Sequence, residues 1–89
     1  MDLLHAVGQA IRLAREQAGL TQQQLSELSG VHVVSLSKVE RGATEARLLT
    51  LDALAIALSL PLSDLLRNAE VIRSLHPAKD ANNKRPSTA

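Results

Sequence analysis

Three glycines and a proline cut this chain into short pieces. Gly19, Gly30 and Gly42 stand at nearly even spacing, and Pro61 follows. Glycine takes the left-handed backbone that ends a helix without a Cβ penalty. Proline cannot sit inside a helix. Between these stops the apolar residues recur at three- and four-residue spacing, and no strand alternation of useful length or internal repeat is visible. A helix of about two turns is not stable alone in water. A chain divided this way must fold by packing its helices on one another.

The first helix runs from about Leu3 to Ala18, with Leu3, Val7, Ala10, Ile11, Ala14 and Ala18 as its stripe. Gln9, Arg12 and Glu16 occupy the opposite, solvated face. Thr21 starts a second helix, and Gln24 three residues later completes a capping box. Leu25 and Leu28 are expected to point inward, and Gly30 ends the helix. A third helix spans His32 to Arg41, with Leu36 and Val39 as its inward pair and Val31 packing just ahead of it. Gly42 to Leu49 reads as a loop. Thr50 is expected to cap a fourth helix from Leu51 to Leu58, with Leu51, Leu54, Ala55 and Leu58 inward and Asp52 near the positive end of the dipole. A fifth helix starts near Leu62 and carries Leu65, Leu66, Ala69 and Ile72 in step. These elements make one domain over residues 1–75. Residues 76–89 change to Pro, Lys, Asp, Asn, Ser and Thr and read as a flexible polar tail.

Composition removes several function classes. The 89 residues contain no Phe, Tyr or Trp. Single-strand nucleic-acid binders and RNA-recognition folds stack bases on such rings, so both are excluded. The absence of Cys excludes thiolate metal sites and disulfides and fits a reducing cytoplasm. His5, His32 and His76 fall on different elements without ligand spacing, so no metal and no other cofactor is expected. No glycine-rich phosphate loop and no oxyanion site is legible, which argues against an enzyme. The stretch Ala53 to Ser63 is uncharged for only eleven residues and contains Pro61, too short to span a membrane. Asp2 and the immediate helical pattern give no sign of a signal peptide. The net charge of +1 is too small to indicate a nucleic-acid partner by itself. Any such case must rest on local placement.

That placement lies between Gln22 and Val39. Two helices crossing steeply need a small residue at the contact, and Ser26 supplies it. The tight turn needs Gly30. The second helix must bury two residues three apart, Leu36 and Val39. His32, Val33, Val34, Ser37 and Lys38 are then left on an outer face polar or small enough to enter a groove.

The run from Ile11 to Leu25, IRLAREQAGLTQQQL, resembles the opening two helices of the Cro/CI-type helix-turn-helix family, also called the xenobiotic-response-element family. Gly30-Val31 followed by Leu36-Ser37-Lys38-Val39-Glu40-Arg41-Gly42 is similar to its recognition helix. Leu51, Leu54-Ala55, Ala57-Leu58 and Leu65-Leu66 match its closing helices. The resemblance covers about residues 5–68. It implies an all-α, compact five-helix, lambda-repressor-like domain with the helix-turn-helix at helices two and three. It further implies a cytoplasmic regulator of transcription that binds double-stranded DNA, its recognition helix in the major groove, as a homodimer on a two-fold operator.

The family's positions carry over residue by residue. Gln22 matches a glutamine that contacts phosphate and braces the recognition helix. Val33, Val34 and Lys38 match base-facing positions. His32, Ser35, Ser37 and Arg41 fall at or near backbone-contacting positions, and Arg47 is a further candidate contact. Arg15 and Glu40 match a buried ion pair between helix one and the end of helix three. Two positions depart from the pattern. Ser26 replaces the usual alanine. Val33 and Val34 stand where hydrogen-bonding residues are common, and valine can only meet a thymine methyl or exclude a poorly fitting base.

Leu62, Leu66, Ala69, Val71, Ile72 and Leu75 form more apolar surface than a terminal helix needs, and are expected to make the dimer interface. The alternative is the antitoxin of a toxin–antitoxin pair, which binds DNA and a partner protein. A toxin-binding tail should carry apolar anchors, and residues 77–89 have none larger than Ala or Pro, which favours the stand-alone regulator.

Overall fold

The computed structural model describes residues 1–76. The flexible polar tail expected over residues 76–89 lies, beyond His76, outside the described residues. Five helices follow in order: α1 (Leu3–Gln17), α2 (Gln22–Ser29), α3 (Val33–Glu40), α4 (Leu48–Ala57) and α5 (Leu62–Leu75). No strand occurs among the described residues. Helix α1 packs on α5 and α3, α2 on α3 and α4, and α4 on α5. Each helix contributes one large side chain that is completely shielded: Ile11, Leu25, Leu36, Leu54 and Leu65. Five short elements are thereby tied to one aliphatic centre, and replacing any of these by Ala should cost about 2–5 kcal/mol.

The helix ends show how local chemistry sets the boundaries. Asp2 caps α1 by accepting from the His5 N–H. Thr21 and Gln24 form the reciprocal capping box of α2. Gly30 closes α2 in the left-handed conformation at φ 79°. Helix α3 ends the same way one residue past its cap. Gly42 lies at φ 68°, and the Ala43 N–H reaches back to the Lys38 carbonyl.

Helix α4 departs from expectation. It begins at Leu48, capped by the extended backbone of Arg47 with no side-chain cap bond, so Thr50 lies inside it. The Leu51 N–H bonds to the Arg47 carbonyl. Leucine is a good helix former, and Leu48-Leu49 extend the helix backward although both stay exposed. Asp52 consequently lies beyond the first turn and the reach of the dipole. Helix α4 ends at Ala57, before Pro61, and two residues on Ser59 holds a left-handed φ of 59°. The Leu60 N–H returns to the Ala55 carbonyl. Pro61 then caps α5, which leaves α4 at 103°.

Two burial expectations are overturned. Leu28 is 62% exposed, because α2 buries only Leu25 fully between α3 and α4. Ala69 is fully buried in the protomer's own core, so it offers no surface to a dimer interface. Leu62, Leu66 and Ile72 are half-buried against the core, whereas Val71 and Leu75 remain exposed. At the outer stripe of α1, Leu3 and Ala18 are also exposed. No single helix among the described residues is long and apolar enough to cross a membrane.

Candidate nucleic-acid interface

Residues Gly30, Val31 and His32 make the turn between α2 and α3. The left-handed Gly30 reverses the chain, and Val31 packs against the core. The Ser29 hydroxyl accepts from the Val31 N–H at 3.1 Å and holds the turn closed. His32 then caps α3, its Nδ1 accepting from the Val34 N–H at 3.2 Å.

Helix α3 is oriented by its inner face. Leu36 and Val39 are buried, and Glu40 is buried beside them. Arg15 donates to Glu40 through Nε to Oε2 at 2.7 Å and through Nη2 to Oε1 at 3.0 Å. The third guanidinium nitrogen, Nη1, donates to the Leu20 carbonyl at 2.9 Å. Gln22 Nε2 donates to the same Glu40 Oε1 at 2.9 Å. The Arg15 and Glu40 side chains are only 12% and 3% exposed. The hydrogen bond to Glu40 pushes the Arg15 guanidinium above its ordinary pKa, outweighing the opposing effect of burial. This clasp joins α1, the start of α2 and the end of α3 at one carboxylate. Its charges are satisfied by bidentate geometry, the condition under which a buried ion pair is tolerated.

A fourth residue fixes α3, one that the apolar pattern of α1 does not single out. Gly8 lies mid-helix in α1, where glycine costs about 1 kcal/mol relative to Ala. A Cβ there would stand 2.3 Å from the Val39 carbonyl oxygen and 2.6 Å from that of Glu40. The bare backbone of α1 is therefore the seat for the end of α3. An isolated glycine inside an amphipathic helix was the available signal.

With its inner face held, α3 presents a continuous outer surface. His32, Val34, Ser35, Lys38 and Arg41 are exposed, and Val33 and Ser37 are half-buried at its edge. Gln22 is half-buried at the start of α2, committed through one N–H to Glu40. Arg47 is exposed but stands off α3, at the N-cap of α4. The assembled face is small, apolar at Val34, cationic at Lys38 and Arg41, and carries no carboxylate; Glu40 is turned inward. A surface of this kind suits a polyanion with methyl-bearing groove edges.

Comparison with known proteins agrees with this geometry. A family model described as Helix-turn-helix matches residues 11–65. The chain is 32% identical over 77 residues to the HTH-type transcriptional repressor RghR of Bacillus subtilis (strain 168), covering 85% of this chain and 57% of that protein. It thus spans little more than half of RghR's length. The crystal structure of the clp gene regulator ClgR from Corynebacterium glutamicum aligns with a TM-score of 0.83 at 32% identity, covering 91% of this chain and 86% of that one. The restriction-modification controller protein C.AhdI from Aeromonas hydrophila aligns with a TM-score of 0.68 at 35% identity, covering 70% of this chain and 94% of that one.

Proposed function

The chain belongs to the Cro/CI-type helix-turn-helix family of transcriptional regulators, and we propose that it binds duplex DNA sequence-specifically as a homodimer, with α3 in the major groove. The observation that carries the reading is the clasp of Arg15, Gln22 and Glu40. It turns the one carboxylate near the end of α3 away from the outer face and holds that face in a fixed pose. A pre-set, carboxylate-free surface loses little entropy on meeting a phosphate backbone.

Each residue has a role in this reading. Lys38 reaches a base edge, and Val34, with the half-buried Val33 beside it, meets thymine methyls. Ser35, Ser37, Arg41 and Arg47 contact the backbone, as does the second N–H of Gln22, which Glu40 leaves available. His32 contacts the backbone from the cap of α3. Val71 and Leu75, with the half-buried Leu62, Leu66 and Ile72, supply the interface between copies. A dimer places two recognition helices about 34–36 Å apart, one turn of duplex. The compartment of action is that of the DNA, the cytoplasm.

Selection of binding sites from random duplexes tests the reading. The expected product is a pair of inverted half-sites one turn apart, with T·A pairs where Val33 and Val34 fall. A pool without enrichment overturns DNA recognition, and enrichment of a lone half-site overturns the dimer.

A further inference from the structure

The recognition helix is capped by a histidine where serine, threonine, aspartate or asparagine is usual. The choice has a chemical consequence. A neutral imidazole carries one proton and one lone pair on its two nitrogens, and the bond made by one nitrogen fixes the state of the other. At His32 the Val34 N–H points at Nδ1, so Nδ1 supplies the lone pair. The proton is then held at Nε2, the nitrogen remote from the backbone, on an exposed residue at the leading end of α3.

We propose that His32 is both the cap of α3 and a neutral hydrogen-bond donor to DNA: capping locks the Nε2–H tautomer, and that N–H donates to a phosphate oxygen. The proposal rests on the DNA-binding reading above and adds which atom donates and with what charge. Donation from an uncharged ring strengthens binding without releasing a counterion. Arg41 differs, since each phosphate neutralised by a cation steepens the salt dependence by about 0.9 in log–log slope. The chain contains its own contrast. His5 Nδ1 lies 2.7 Å from Asp2 Oδ1, and an ionised carboxylate offers only acceptors, so His5 carries its proton on Nδ1. In their neutral forms the two rings are expected to be opposite tautomers, each set by a helix cap.

Long-range proton–nitrogen NMR of the free protein at pH 8 reads both rings directly. The expected result is His32 protonated at Nε2 and His5 at Nδ1. Two variants then separate the roles of His32. Asparagine caps through its own side-chain oxygen but is too short to place a donor where Nε2 stands. His32→Asn should melt with the parent and bind about 3- to 10-fold more weakly on selected and unrelated duplexes alike, as for one neutral hydrogen bond lost. Its salt slope should match the parent's. His32→Ala should lose the same affinity and also melt lower. A proton on His32 Nδ1 overturns the proposal, as does parental affinity in His32→Asn. A slope shallower by about one unit in His32→Asn overturns the neutral donor in favour of a cationic one. If the parent binds no duplex, the DNA reading falls and the phosphate contact with it, while the tautomer in the free protein is decided independently.

Discussion

Glu40 accepts three hydrogen bonds on two oxygens, two from Arg15 and one from Gln22. Removing it leaves a nearly buried guanidinium with only the Leu20 carbonyl as partner. Glu40→Ala should therefore destabilise the fold by about 3–5 kcal/mol, the cost of breaking a buried pair from one side. That is a large share of the stability of a domain this small. Urea unfolding measures it, and a loss below about 1 kcal/mol would show that the clasp is dispensable. Arg15 and Glu40 lie 25 positions apart, and their bond could be anticipated only through the family resemblance. Gln22 is different. Its bond to Glu40 joins residues on separate helices, and nothing in the local sequence distinguishes it from Gln23, which instead reaches Glu27 one turn on.

Two residues, one inside α1 and one just past α4, are at odds with their local conformation, for opposite reasons. Gly8 is a poor helix former kept where α1 touches the carbonyls of α3. Gly8→Ala gains helix propensity but forces α3 away from α1. We expect a net loss of about 1–3 kcal/mol, as for overpacking, together with weaker DNA binding. A melting temperature at or above the parent's would refute the close approach. Ser59 shows the reverse: a residue with a Cβ holds the left-handed conformation that ends α4. Glycine takes this backbone freely, so Ser59→Gly should stabilise by about 0.5–1 kcal/mol after its larger unfolded-state entropy is allowed for. Calorimetry should show a rise of about 4 °C. No rise would mean that the serine hydroxyl or its neighbours offset the strain.

At the scale of the whole molecule, the apolar side chains exposed among the described residues include two patches large enough to matter for assembly. One adjoins a groove of about 530 Å³ between α1, the α4–α5 turn and α5, with Leu13, Leu58, Leu60, Val71 and Ile72 on its walls. The other runs along α4, where Leu49 and Ile56 are 79% and 68% exposed and lie seven residues apart on one face. The dimer reading assigns the α5 side to the two-fold interface. Sedimentation at tens of micromolar should report about twice the mass of one chain. Val71→Asp with Leu75→Asp should yield folded monomers, because both side chains are exposed in the protomer. Ile72 is a poor choice for this test, since it packs against the core. Should Ile56→Asp dissociate the dimer while the α5 variants do not, the interface lies on α4.

Most helix ends in this chain are local events, and the sequence by itself determined them. The capping box of Thr21 and Gln24 and the stops at Gly19, Gly30 and Gly42 depend on backbone chemistry within a few residues. The inward pair Leu36 and Val39 follows from helical periodicity alone. Such features stay legible because neighbours in the chain are neighbours in space. The start of α4 escaped because its N-cap is a backbone conformation at Arg47, with no capping side chain to mark it. The tertiary structure alone decided the rest. Leu28 and Ala69 both continue an apolar stripe, yet one lies in solvent and the other in the core. Periodicity tells which residues share a face; how much of that face a neighbouring helix covers depends on crossing angle and distance. Gly8 is the clearest case, because its role is set by carbonyl oxygens more than thirty positions away that meet it only after α1 and α3 have packed.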